Sequence, residues 1–347
     1  IPIDITREEL TMTVNTTKKY HLQNGETHVH FLPSGDVSNF SHKNLMVNQL
    51  IGNAFDGSLN NIFLRVFNND KIDFYPLLGV KSTSTFSTSA NKAKWAGAVH
   101  GVEYEVIFHM ANEQMWFWEV NLNSNDLDVD LVYGQDVGLA HLNAIRSNEA
   151  YNAQYLDHAV FENDSTGFTV CTRQNQQQGD VFPYLQQGSL EKNVGYSTDG
   201  FQFFGLSYKE TDIPEALTKA SLANETYQYE FAYTALQSEK ISLTGKTSFV
   251  FYGAVASHHP NAVKSPLFIQ EIQHAWDGIE KEEVSFKTID SPHDLAFSGA
   301  GIISSSAMTS AELDALYPEK LLEEWDGESL LSFFTPTYEH VVLKEKE

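Results

Sequence analysis

From Tyr20 to about Gln135, apolar and polar residues alternate in short runs broken by clusters of Gly, Asn, Asp and Ser, the pattern of half-buried antiparallel strands. The clearest run is Val102–Met110, in which Val102, Tyr104, Val106, Phe108 and Met110 share one face. Residues 115–121 follow across a turn at Asn112 and Glu113, so the two segments predict a hairpin. Trp116, Phe117 and Trp118 give its second strand large apolar side chains on both faces. A strand buried on both sides lies between layers, which favours a large sandwich over a single exposed sheet. Further strands are predicted at 167–173, 200–208, 226–236 and 246–256, so the strand-rich body runs to about residue 257.

Two regions break this alternation. Within 143–161, Ala150, Tyr151, Ala153, Tyr155, Leu156 and Ala159 recur near a helical period, and Ser147 stands where a cap is needed; this predicts a short helix. Ser265-Pro266 is a cap followed by proline at the first helical position. Phe268, Ile272, Trp276 and Ile279 then predict an amphipathic helix over 266–280 that lays its apolar stripe on the sandwich. Thr309-Ser310-Ala311-Glu312 has capping-box spacing, Pro318 interrupts that helix, and a second helical turn is expected up to Gly327. The closing Tyr338 to Leu343 alternates like an opening strand. The expected organisation is a β-sandwich domain over 1–257, then a mixed helical linker and the start of a following region over 258–347.

Composition narrows the function classes. The 347 residues are 41% hydrophobic and 12% aromatic, far from the make-up of a disordered chain. A single Cys171 excludes an internal disulfide framework and a Cys-based metal cage within one chain. The net charge of −24 disfavours nucleic acid and anionic membrane surfaces as partners, since both are bound through Lys and Arg. No apolar run approaches the roughly 20 residues that span a bilayer.

The richest stretch of reactive or binding residue types is Tyr133-Gly134-Gln135-Asp136, then Arg146, Asn148, Tyr151, Tyr155, Asp157 and His158. A second cluster, Arg173, Gln174 and Asn175, stands at a strand end. Planar amides, carboxylates and guanidinium groups suit sugar hydroxyls, and aromatic faces suit the apolar side of a pyranose ring. The competing account has Asp136 and Asn148 capping turns, the tyrosines packing between helix and sheet, and Arg146 or Arg173 ordering Asp157. The pairs His28/His30 and His258/His259 lack a spaced carboxylate to complete a metal site, and Cys171 sits in an apolar strand context that suits a buried thiol. No metal and no cofactor are expected.

Tyr133-Gly134-Gln135-Asp136-Val137-Gly138-Leu139-Ala140, Arg146-Ser147-Asn148-Glu149-Ala150-Tyr151, Gln154-Tyr155-Leu156-Asp157-His158 and Cys171-Thr172-Arg173-Gln174-Asn175-Gln176 together resemble the amino-terminal region of glycoside hydrolase family 94 phosphorylases. The 1,2-β-oligoglucan phosphorylase subgroup is nearest in motif. Phe31-Leu32-Pro33-Ser34-Gly35-Asp36, Asn48-Gln49-Leu50-Ile51-Gly52-Asn53 and Asp56-Gly57-Ser58-Leu59-Asn60-Asn61 extend the likeness through nearly the whole chain. The resemblance implies a mainly β, galactose-mutarotase-like β-supersandwich with a few linker helices, joined to an (α/α)6 barrel, in a cytoplasmic homodimer. It implies cleavage of β-glucan oligosaccharides by inorganic phosphate to glucose 1-phosphate, with the general acid in the barrel and no catalytic residue in this chain. Arg146, Asn148, Tyr151, Tyr155, Asp157, His158, Arg173, Gln174 and Asn175 are expected to share the face turned toward that barrel and to bind substrate. The alternative is a free-standing carbohydrate-binding or mutarotase-like protein. The missing initiator Met and the strand opening near the last residue favour a portion of a longer protein.

Overall fold

Val102–Met110 pairs antiparallel with Met115–Asp136, from Met110 opposite Trp116 to Glu103 opposite Asn123. Asn112 closes the turn, its Oδ1 accepting from the backbone N–H of Gln114 at 2.8 Å and of Met115 at 2.9 Å. On the other edge of the 115–136 strand runs Ile241–Ala256. The register shifts between Asn125 and Leu127, where Asp126 has φ 60°. Past this bulge the same strand changes neighbours, pairing with Asn61–Asn68 and with Ala232–Ser238. A bulge bends its strand and sharpens the twist, which lets one 22-residue strand serve two sets of partners. The computed structural model describes residues 19–68, 71–280, 285–289, 308–338 and 340–343. Among these, thirteen strands form the larger sheet and five form a second one.

The five-stranded sheet, beginning with Tyr20–Asn24, Thr27–Phe31 and Val37–His42, stacks on the larger one through aromatic side chains. Ring centroids of Phe31 and Trp95 lie 5.4 Å apart, of Phe40 and Trp116 4.4 Å, and of Phe31 and Phe108 5.8 Å. Each such ring, fully buried, contributes on the order of 2–3 kcal/mol. Phe117 points the opposite way, into a second apolar layer with Met115, Tyr184, Tyr252, Phe268 and Ile272. The two-faced burial expected of the Trp116-Phe117-Trp118 run is thus present, and the chain is mainly β.

Several segments depart from expectation. The predicted 143–161 helix is Leu142–Ala153, and Leu156–Asn163 is a strand, edge to the larger sheet. Leu156, His158 and Val160 alternate there; tertiary pairing with Gly167–Gln174 overrides the apparent helical period. Ser147 is no cap, since its hydroxyl donates back to the Ala144 carbonyl at 3.0 Å. The predicted strand at 200–208 is two short helices, Gly200–Phe204 and Tyr208–Thr211, the first capped by Asp199 accepting from Gln202 N–H at 2.8 Å. The strand expected at 226–236 is Ala232–Ser238. The helix expected at 266–280 is Gln270–Asp277. Its start is delayed because Gln186, on a neighbouring strand, accepts from Phe268 N–H at 3.0 Å and donates to the Phe268 carbonyl at 2.6 Å. Ile272 and Trp276 still pack on the sheet, Trp276 with its ring 5.2 Å from Phe117.

The chain divides into two compact units, 1–299 and 300–347. In the second, Thr309 and Glu312 form the capping box of Ser310–Leu316. The helical turn expected up to Gly327 is instead the strand Leu321–Asp326, which turns at Gly327 into Ser329–Phe334 and is followed by His340–Val342.

Candidate functional site

The Leu142–Ala153 helix is interrupted at Asn148, whose backbone is extended at φ −168° and ψ 90°. Its Oδ1 accepts from Tyr151 N–H at 2.9 Å and restarts the helix, while Asn152 Nδ2 donates to the carbonyls of Ala144 and Asn148 at 3.0 and 2.7 Å. Asparagine suits this task because its short amide bonds backbone groups a few residues away. The final turn therefore sets Tyr151 against Tyr155: their hydroxyls are 3.0 Å apart and their rings meet edge to face at 5.3 Å. The hydrogen bond with Tyr151 raises the Tyr155 phenol above its ordinary pKa.

The chain then enters the edge hairpin, where Asp157 stands opposite Arg173 and His158 opposite Thr172. Opposed residues of an antiparallel pair share a face, so Asp157 and Arg173 lie on one side and His158 on the other. His158 is buried, hydrogen-bonded through Nδ1 to Thr172 Oγ1 at 2.9 Å, and burial pushes its pKa down to about 4. Arg173 spends its donors on the chain itself: Nε to the His259 carbonyl at 2.7 Å, Nη2 to the Pro260 carbonyl at 2.9 Å, and Nη1 to Asn175 Oδ1. Its guanidinium also lies 4.6 Å from the Phe182 ring centroid. Gln174 is fully buried, donating to the Asn152 carbonyl at 3.1 Å and accepting from Gln176 N–H at 3.0 Å. Asn175 N–H donates to the Tyr155 carbonyl at 2.9 Å, tying the two loops together.

The structure therefore brings Tyr151, Tyr155, Asp157, Arg173 and Asn175 together at the edge hairpin, with His158 and Gln174 beneath. Arg146 stands apart, exposed on the first half of the helix. Its charge acts on Lys19, whose amine is held below the usual range by burial first and by Arg146 second. Lys19 in turn faces His30, which stacks on His21 at 4.4 Å. Among the described residues neither arginine forms an ion pair with Asp157. Asp136 is buried and accepts from Gln49 and Leu50 N–H at 2.8 and 2.6 Å, and burial pushes its pKa up to about 6. Cys171 is buried as expected, its thiol pushed up to about 12. Sequence reasoning did not single out Glu230 and Gln228. Glu230 accepts from Gln154 Nε2 at 3.0 Å and Gln228 donates to the Gln154 carbonyl at 2.8 Å; no pattern in the intervening loop announces that contact. The outward strip of Tyr151, Tyr155, Asp157 and Asn175 combines aromatic faces, a carboxylate and an amide, which is chemistry able to stack on and hydrogen-bond a sugar. Among the described residues no group of three His, Cys, Asp or Glu side chains is placed to hold a metal, and no helix is long and apolar enough to cross a membrane.

Comparison with known proteins adds the family. Residues 317–347 match the glycoside phosphorylase supersandwich domain. The chain is 39% identical over 320 residues to 1,2-beta-oligoglucan phosphorylase of Listeria innocua serovar 6a, covering 91% of this chain and 28% of that protein. Among solved structures it is similar to a GalM/aldose epimerase homologue from C. elegans, at 6% identity over 70% of this chain and 99% of that one, TM-score 0.36. It is also similar to 4-alpha-glucanotransferase from Thermococcus litoralis, at 6% identity over 70% and 40%, TM-score 0.31. These two likenesses are too distant to bear on function. With residues 30–253 matching the SOGP N-terminal domain, the chain belongs to that family.

Proposed function

We propose that this chain is the N-terminal, non-catalytic sandwich portion of an inverting glycoside phosphorylase of the glycoside hydrolase family 94 type. The enzyme cleaves β-1,2-gluco-oligosaccharides with inorganic phosphate and releases glucose 1-phosphate. The observation that carries this reading is the 39% identity across nearly the whole chain to a protein named for that activity. Because the chain spans 28% of that relative, the chemistry is assigned to an (α/α)6 barrel beyond it. There a carboxylic acid protonates the leaving oxygen while phosphate attacks the opposite face of the sugar. Residues 1–257 act as the sandwich body and 258–347 lead into the following region. The strip of Tyr151, Tyr155, Asp157 and Asn175 turns toward the barrel and lines the approach of the glucan, held by Arg173 on the same face and by His158 and Gln174 beneath, with Asn148 setting the angle of the tyrosines and Arg146 on the flank. The whole enzyme is a cytoplasmic homodimer.

The test is glucose 1-phosphate production from β-1,2-gluco-oligosaccharides and inorganic phosphate. The 347-residue chain is expected to produce none, and a protein extended through the downstream region to produce it readily. Release by the chain alone would refute the division of labour, and an extended protein inert on every β-glucan would refute the activity.

A further inference from the structure

A cleft of about 800 Å3 opens on the first unit between the loop 53–59, the strands Asn61–Asn68 and Lys71–Pro76, and the short helix Tyr208–Thr211. Its volume falls within the roughly 300–1,000 Å3 of small-ligand sites. It shares no residue with the strip along 146–175. Phe55, Asp56, Phe74, Lys81, Tyr208 and Asp212 are among the residues that line it.

The loops that line the cleft are held in place by hydrogen bonds. The buried Asp36 carboxylate accepts from Ser58 N–H at 3.0 Å, Val80 N–H at 2.8 Å and Ser34 Oγ at 2.6 Å, and so ties the loop of Asp56 to the loop of Lys81. Gly57 (φ 77°) and Gly79 (φ 75°) pass so close that a Cβ would meet Asp36 Oδ1 at 2.5 and 2.1 Å. Asn53 Oδ1 fixes the N–H groups of Phe55 and Asp56 at 2.8 and 3.0 Å. Lys81 Nζ reaches the Tyr208 hydroxyl at 3.4 Å and bonds the Asp212 carboxylate. Asp212 caps the short helix at φ 56°, ψ 23°, the left-handed conformation in which Asp is enriched at helix ends.

The lining selects its ligand. Aromatic faces beside carboxylates and an ammonium suit a molecule with apolar C–H faces and paired hydroxyls. Three carboxylates, Asp56, Glu210 and Asp212, against Lys81 and Lys209 disfavour an anion such as phosphate or a nucleotide. We infer that this cleft is an accessory, non-catalytic binding site for a neutral gluco-oligosaccharide, separate from the strip that faces the catalytic region. The gluco-configuration of the ligand rests on the phosphorylase reading above; the site itself rests on the cleft.

The test is calorimetric titration of the full 347-residue chain with β-1,2-gluco-oligosaccharide, with inorganic phosphate as control. Saturable sugar binding and no phosphate binding are expected. Asp212→Gly, which suits the left-handed backbone, and Phe55→Ser should each weaken binding at this site about tenfold with the melting temperature unchanged, while a saturable sugar site survives Tyr155→Ala. Absence of saturable binding overturns the inference. So does a loss confined to Tyr155→Ala, which would put the sugar on the other strip and leave the phosphorylase reading standing. Loss in both cleft variants supports the cleft even if the extended protein releases no glucose 1-phosphate, the result that would sink only the phosphorylase reading.

Discussion

The polar residues between 146 and 175 divide into two sets that look alike in sequence and behave oppositely in the fold. His158, Arg173 and Gln174 are 8%, 7% and 0% exposed, and their hydrogen bonds end on Thr172, on Asn175 and on the chain at Asn152, Gln176, His259 and Pro260. Tyr151 is 45% exposed, Asn175 is exposed, and Tyr155 and Asp157 keep partial access to solvent. The difference teaches that residue type announces the capacity to bond and not where that capacity is spent. A buried donor must find a partner inside the protein, so the inward set is taken up by the fold, and only the outward set keeps its groups at the surface.

The largest effect expected from breaking this division is in Arg173→Met. Removing a guanidinium that holds two backbone carbonyls should cost about 3 kcal/mol and lower the melting temperature by about 5–10 °C. A variant that melts normally but raises KM in the extended enzyme would move Arg173 into the outward set.

His158 sharpens the comparison through pH. Its folded pKa, about 4, lies below the ordinary 6.5, so between those values the unfolded chain takes up a proton that the folded chain refuses. Stability is full above 6.5 and is lost as pH falls toward 4, by up to roughly 3 kcal/mol. Asp136 acts with the opposite sign: its folded pKa of about 6 exceeds the ordinary 3.8, so its contribution is present at low pH and lost as pH rises through 6. Denaturant unfolding at pH 7 and 4.5 should therefore show a smaller loss on acidification in His158→Gln than in the parent. Equal losses would mean that His158 is not shielded from water.

In the outward set, Tyr155→Ala should leave melting almost unmoved and change KM or kcat of the extended enzyme by about tenfold. Early unfolding with normal kinetics would make Tyr155 structural. The smallest effect is in Tyr151→Phe, which removes the hydroxyl partner: the Tyr155 phenol should titrate closer to its ordinary value, read by ultraviolet absorbance at alkaline pH. An unchanged titration would show that the pair is not formed in solution.

Local chemistry alone made some elements legible. Alternation over 102–121 with Asn112 between the runs specifies its hairpin, because side-chain period and turn bonding involve only near neighbours. The capping box at Thr309 and Glu312 and the two-faced burial of Trp116, Phe117 and Trp118 were legible for the same reason. The rest was decided by partners remote in sequence. Leu156–Asn163 became a strand by pairing with Gly167–Gln174 rather than continuing its helix, and Gln186 held Phe268 out of a helix that starts two residues later. Asp36 joined two loops 22 and 44 residues away. Whether Arg173 or Tyr155 stays at the surface depended likewise on which carbonyls packing delivered to each. The sequence determined where strands alternate, which side chains are apolar and where local caps and turns stand, since those follow from adjacent residues. Only the tertiary structure decided which polar groups are consumed inside the fold, because a hydrogen bond between residues far apart in the chain exists only once packing has brought them within about 3 Å.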